Sequence, residues 1–352
     1  MITLADLFRR HESELKGLNQ DQRKAMRAIM ACRTSALGGQ SYRCGDCGRM
    51  HIAWHSCNHR SCPQCGGGDA QAWLEANQQR LLPVPHFLVT FTLPGEVRPL
   101  ARREPEVVYR ALLREAAGTL KDVLRSKLGG EAGFLGVLHT WTRDLRFHPH
   151  VHFIVPGGVL SEDGLHWKRL KNDSFLVHVD VLSKRFRTRM RAALGDLAKE
   201  VPSAGWQKQW VVHSQPAGSG QEVLGYLSAY VFRTAISERN ILSETHGMIT
   251  FSYKPSGSQV SATCTLPVVD FLKRILLHVL PKGLHKIGYF GWMHPRAKKR
   301  LERIRSLLEA PLHLSGPPTA APPTCPHCGH ASLVRLRTIK RMWMPFVRYD
   351  SS

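Results

Sequence analysis

The chain has 352 residues, with 49 Lys and Arg against 27 Asp and Glu, so its formal net charge is +22. That length allows two or three domains with an ample core, and 43% hydrophobic with 22% charged residues excludes wholesale disorder. No apolar run approaches the roughly 18 residues of a membrane span, and the charged N-terminus MITLADLFRRHESELKG is unlike a signal segment, so the expectation is a soluble cytoplasmic protein with a polyanionic partner.

In chain order, residues 1–31 read as helix, with Leu4, Leu7, Phe8, Met26 and Ile29 at helical spacing. Residues 32–68 are rich in Gly, Ser and Cys and too poor in aliphatics to build a core. A short helix over 70–82 precedes a strand, Phe87–Leu93, that Pro94-Gly95 ends. Residues 104–128 are helical, and 133–141 and 151–155 are predicted strands of one antiparallel pair. From 182 to 201 apolar residues recur every three or four positions, with Lys184, Arg185, Arg187, Arg189 and Arg191 between them. A strand at 210–213, a helix at 221–237, hairpin strands over 248–265 and a helix over 267–280 follow. Residues 296–305 (RAKKRLERIR) include Lys298, Lys299 and Arg300, and 310–324 is a proline-rich linker. The fold class is α+β.

Six of the nine cysteines lie within Cys32–Cys65. In a reducing compartment such clustering points to metal, not disulfides. Cys44-x-x-Cys47 and Cys62-x-x-Cys65 supply the four soft ligands of a tetrahedral structural Zn2+. Cys57 and His59, inside the loop, are replacement ligands. Cys325-x-x-Cys328 reads as half of a further site with no matching pair downstream.

The segment Phe147-His148-Pro149-His150-Val151-His152 puts His150 and His152 on one face of a strand, with Val151 facing a core. Imidazoles at that spacing can hold a divalent ion. A turn near Thr142–Arg146 would set His139 beside His150 as the third ligand, and His148 is the other candidate for that place. On the 221–237 helix, Tyr226 and Tyr230 stand four residues apart on one face, with Arg233 along the same stripe as a candidate phosphate contact.

Together these residues resemble a rolling-circle insertion-sequence transposase of the HUH-endonuclease superfamily, two-tyrosine class. The likeness rests on Cys44, Cys47, Cys62 and Cys65 with the SCNHRSCPQC segment, on HPHVHFIVPGG, on YLSAYVFRTAIS and on residues 271–292, and covers roughly residues 10–300. It implies an HUH-type antiparallel sheet flanked by helices, behind an N-terminal zinc-binding domain. It also implies Tyr226 and Tyr230 as nucleophiles, Mg2+ or Mn2+ as the catalytic ion, and 5′-phosphotyrosine intermediates in single-strand cleavage and strand transfer. Partners would be single-stranded and hairpin DNA ends and target DNA, in the nucleoid. No P-loop motif is present, so host helicase or replication proteins would separate strands.

The expected division is 1–75 (helix and zinc ribbon), 76–265 (nuclease), 266–309 (basic helical part), 310–324 (linker) and 325–352 (Cys-x-x-Cys tail). The basic runs at 184–191 and 296–305 are read as a DNA track. A replication initiator or relaxase of the same superfamily is the alternative enzyme, and a non-catalytic zinc-ribbon DNA-binding protein the alternative of another class.

Overall fold

The computed structural model describes residues 2–341 apart from 66, 233, 256 and 311–322. Most of the proline-rich stretch, the residues after 341 and Arg233 therefore lie outside the described residues.

The first 31 residues form two helices where one was expected, α1 (Leu4–His11) and α2 (Gln20–Ala31). Gly17, at φ +76°, breaks the run. Asn19 then starts the second helix with a capping box: its side chain accepts from the Gln22 amide, and the Gln22 side chain accepts from the Asn19 amide. Two short strands follow, β1 (Gly39–Cys44) and β2 (Met50–Trp54), then α3 (Gly67–Gln78).

Strand β3 (His86–Thr92) opens the main domain and leads into α4 (Arg98–Arg103) and α5 (Pro105–Leu128). The short β4 (Gly130–Glu131) precedes the long pair β5 (Phe134–Trp141) and β6 (Phe147–Pro156), and β7 (Gly158–Ser161) and β8 (Trp167–Arg169) complete a small side sheet with β4. Next come α6 (Val179–Leu194), α7 (Ser203–Gln207), β9 (Val212–Pro216) and α8 (Gln221–Phe232). A three-stranded sheet of β10 (Ile241–Thr245), β11 (Met248–Tyr253) and β12 (Ala262–Pro267) leads to α9 (Val268–Leu277), β13 (Ile287–Phe290) and α10 (Lys298–Leu307).

The central sheet runs β13-β5-β6-β3-β9, antiparallel throughout. Its two faces differ because β6 alternates. Val151, Phe153 and Val155 point to the core shared with α5 and α6. There Phe153 meets Phe91 and Phe134 edge-to-face, at ring separations of 5.9 and 5.4 Å. On the opposite face Leu135, Val137 and Ile154 pack with Leu224 and Leu227 of α8, and the histidines of β6 emerge beside them. The tyrosine helix thus lies over the histidine face.

Two expected boundaries cut through packed units. Helix α9 shares a core with α1 and α2, so residues 266–277 close the N-terminal part. The strand Leu333–Ile339 pairs with β1, so the tail belongs to the cysteine-rich sheet. Among the described residues no helix is long and apolar enough to cross a membrane.

Candidate active site and cysteine clusters

The turn at Thr142–Arg146 closes with the Thr142 amide donating to the Arg146 carbonyl at 3.0 Å, and sets His139 directly opposite His150. His152 sits two residues on, opposite Val137. One ring nitrogen from each of His139, His150 and His152 lies within 4.8 Å of the others. The imidazole Nδ1 of His150 is 2.6 Å from the His148 carbonyl, and Nδ1 of His152 is 2.7 Å from the Thr90 hydroxyl on β3. Donation from Nδ1 to that carbonyl leaves Nε2 of His150 with its lone pair, as a metal ligand requires. Burial holds all three rings neutral: it pushes His150 down to about 4, His152 to about 3, and His139 well below the ordinary histidine range.

His148 is not in the trio. Its Nδ1 accepts from the Arg98 guanidinium at 2.9 Å, and its ring centroid is 5.2 Å from that of His150. His150 and His152 border a cleft of about 1040 Å³ lined by Thr90, Arg98, Arg143, Lys208, His213 and Tyr226 among others, while His139 is buried. Tyr226 is 38% exposed, and its ring centroid is 6.4 Å from that of His152. Tyr230 lies one helical turn further along α8, and its side chain is outside what is described.

The cysteines assemble differently from expectation. Cys44, Cys47, Cys62 and Cys65 do not converge. Cys62 and Cys65 gather with Cys32 and Cys57, while Cys44 and Cys47 gather with Cys325 and Cys328. The reason is topological. Cys32 caps α2 and lies against the loop carrying Cys57, whose amide donates to the Cys32 sulfur at 3.5 Å. Cys44, at the far end of β1, is instead brought to the tail by the pairing of β1 with Leu333–Ile339. Sulfur separations of 3.6 Å (Cys32–Cys65) and 3.7 Å (Cys57–Cys65) in the first group exceed a disulfide bond and suit a tetrahedral S4 ion. His59 is not in the cluster, and its Nδ1 accepts from the Ser61 amide at 3.1 Å.

Comparisons with known proteins show the family. The family described as "Putative transposase" matches residues 133–300, and that described as "Transposase zinc-binding domain" matches residues 3–93. The chain is 36% identical over 337 residues to the "Putative transposase y4qJ" of Sinorhizobium fredii, covering 87% of this chain and 84% of that protein. It is 30% identical over 310 residues to the "Transposase for insertion sequence element IS801" of Pseudomonas savastanoi pv. phaseolicola, covering 81% and 73%. The chain belongs to the rolling-circle insertion-sequence transposases. No solved structure matches the transposase.

Two features of the transposase escape a reading of the sequence. The basic run on α6 does not reach the cleft. That helix packs on the opposite face of the sheet, where Arg189 pairs with Glu115 (3.0 Å) and Asp122 (2.7 Å) and Arg187 donates to the Lys208 carbonyl. On α10, Arg300 pairs with Glu131 and Lys298 with Glu302. The cations at the cleft are Arg98, Arg143 and Lys208, scattered singly along the chain where no run marks them. The second is Cys32. The only hint in the sequence is that six cysteines crowd within Cys32–Cys65 where a single site needs four.

Proposed function

We propose that this transposase is an HUH-type nuclease that cuts and rejoins single-stranded DNA through 5′-phosphotyrosine intermediates, with Tyr226 and Tyr230 as nucleophiles. The observation that carries the reading is the convergence of buried His139 with His150 and His152, which line a cleft that Tyr226 also lines. The donor set fits a divalent ion, because three buried neutral imidazoles offer lone pairs and leave open positions for oxygen ligands. Mg2+ or Mn2+ bound there would neutralise the charge developing on the scissile phosphate.

The chain's own groups do the rest. Tyr226 Oη attacks phosphorus in line, the bond from phosphorus to the 3′ oxygen breaks, and the phenol's proton ends on that oxygen. The products are a 5′-phosphotyrosine and a free 3′ hydroxyl. The new ester conserves the energy of the broken one, so attack by another 3′ hydroxyl completes strand transfer without ATP. A phenol of pKa about 10 is a weak nucleophile at neutral pH, and a cationic cleft helps by favouring its anion. Arg98 supplies that field and grips a flanking phosphate, while Lys208 at the same cleft is paired with Glu96 at 2.6 Å. Tyr230 holds the second strand end.

In the zinc-binding domain, Cys32, Cys57, Cys62 and Cys65 hold a structural Zn2+ that organises a segment with almost no apolar residues. Arg60, from the same loop, donates to the carbonyls of Leu280, Pro281 and Leu284 and so ties this centre to the chain beyond α9.

The test is incubation with single-stranded DNA spanning the ends of the encoding insertion sequence, with Mg2+ or Mn2+. A protein–DNA adduct that survives denaturation is expected, absent from Tyr226→Phe/Tyr230→Phe and from His150→Ala. Cleavage that persists in both variants would falsify the assignment.

A further inference from the structure

We infer that the tail closes a second metal centre, a four-thiolate site in which Cys44 and Cys47 of the N-terminal ribbon are joined by Cys325 and Cys328. Neither matched family reaches the tail, since they end at residues 93 and 300. The sulfurs of Cys44 and Cys328 are 3.6 Å apart and those of Cys47 and Cys325 3.8 Å apart, with all four inside 4.8 Å of one another. An ion with bonds of about 2.3 Å to four tetrahedral sulfurs spaces them by about 3.8 Å. The same distances are far too long for disulfides.

The two halves are built alike, which chance proximity of thiols would not produce. Each is Cys-x-x-Cys-Gly, Cys44–Gly48 and Cys325–Gly329, a pattern that Cys62–Gly66 shares, so the likeness rests on the backbone geometry. In each, the glycine takes a left-handed conformation, φ +68° at Gly48 and +80° at Gly329. The amides of those glycines donate to the carbonyls of Cys44 (3.0 Å) and Cys325 (2.8 Å). The Cys44 and Cys325 amides donate to carbonyls five residues on, at Arg49 (3.0 Å) and His330 (2.7 Å). Each first sulfur also accepts a backbone amide, from Cys47 at 3.5 Å and from His327 at 3.4 Å. Donors aimed at sulfur favour the thiolate that a soft ion needs.

The backbone around the centre is shaped to match. Strand Leu333–Ile339 pairs with β1 along its whole length, making β1 the middle of three strands. A Cβ on Gly38 would lie 2.5 Å from the Ile339 carbonyl oxygen, and one on Gly39 2.6 Å from that of Ala53, so only glycine lets the outer strands approach this closely. Cys44 and Cys325 are buried, in a small sheet that has few apolar contacts to hold the tail by itself. The ion is the clasp.

The experiment uses the full-length protein. Elemental analysis should find about two zinc ions per chain, falling to about one in Cys325→Ser/Cys328→Ser. With Co2+ in place of Zn2+, the sulfur-to-metal charge-transfer band should fall to about half in the same variant. A protease site placed between residues 311 and 322 provides the second measurement. After cutting, the tail fragment should co-elute with the rest of the protein and separate on adding a chelator. Equal zinc content in wild type and variant, or a cut tail that separates while zinc is still bound, would overturn the proposal.

Discussion

The histidine cluster and the cysteine cluster closed by the tail draw their side chains from very different spans of chain. His139, His150 and His152 come from one hairpin, and strand pairing alone sets their spacing. Cys44 and Cys328 are 284 residues apart, and only the completed fold brings them together. The first kind of site is held by a sheet with a large apolar core of its own. In the second, a bound ion would supply what a sparse apolar core cannot. A site of the first kind can open itself to substrate, and one of the second has to be closed.

The widest test of that contrast pairs His150→Ala with Cys44→Ser. His150→Ala should retain the fold while strand cleavage slows by about 10³-fold or more, as expected when several kcal/mol of charge stabilisation is lost. Cys44→Ser should instead lose one zinc and loosen Leu333–Ile339 from β1, seen as rapid hydrogen exchange in that strand. If His150→Ala loosened β6 as readily, the contrast would be wrong. Next in size is the sheet's independence of metal. Phe153, buried between Phe91, Phe134 and Phe290, should cost about 3–5 kcal/mol on replacement by Ala, measured by denaturant unfolding with or without the divalent ion.

A smaller effect concerns pH. His278 belongs to neither kind of centre, yet burial pushes it down to about 4, with Nδ1 3.3 Å from the Thr140 hydroxyl. Its folded pKa is below the unfolded value, so acid protonates the unfolded chain first. The stability it carries is present above about pH 6.5 and is lost as pH falls towards 4. In His278→Gln the slope of unfolding free energy against pH in that window should be shallower by about 1.4 kcal/mol per unit. The finest test is Arg98→Ala. It should weaken single-stranded DNA binding and reduce the salt dependence of affinity by about one phosphate contact. The same change at Arg189, on the other face of the sheet, should leave that salt slope as it is.

What could be read from the sequence follows the same division. The alternation of HPHVH, the spacing back to His139 and the helix carrying Tyr226 are local patterns, and the register of β5 on β6 bears out the expected neighbours. Pairing between Cys-x-x-Cys turns is not local. With three such turns or isolated thiols available to each, nearest-in-sequence pairing chose Cys62–Cys65 for Cys44–Cys47, and the β1 pairing with Leu333–Ile339 chose otherwise. All three turns read Cys-x-x-Cys-Gly, at 44–48, 62–66 and 325–329, so the motif carries no signal of which two are halves of one site. The basic run on α6 misled for another reason. Sequence reports how many arginines lie on a helix, while Glu115 and Asp122 on α5 decide what Arg189 does.

The pairing of β1 with Leu333–Ile339 also fixes an order of events during synthesis. Residues 39–54 leave the ribosome early but cannot complete their sheet until residue 339 has followed, so the middle of the chain folds beside an unfinished ribbon. During that interval the ribbon presents the unpaired edge of β1 and the free thiols of Cys44 and Cys47. A second nascent transposase on the same messenger would offer the matching strand, and the ribbon is therefore the place where exchange between neighbouring chains would begin.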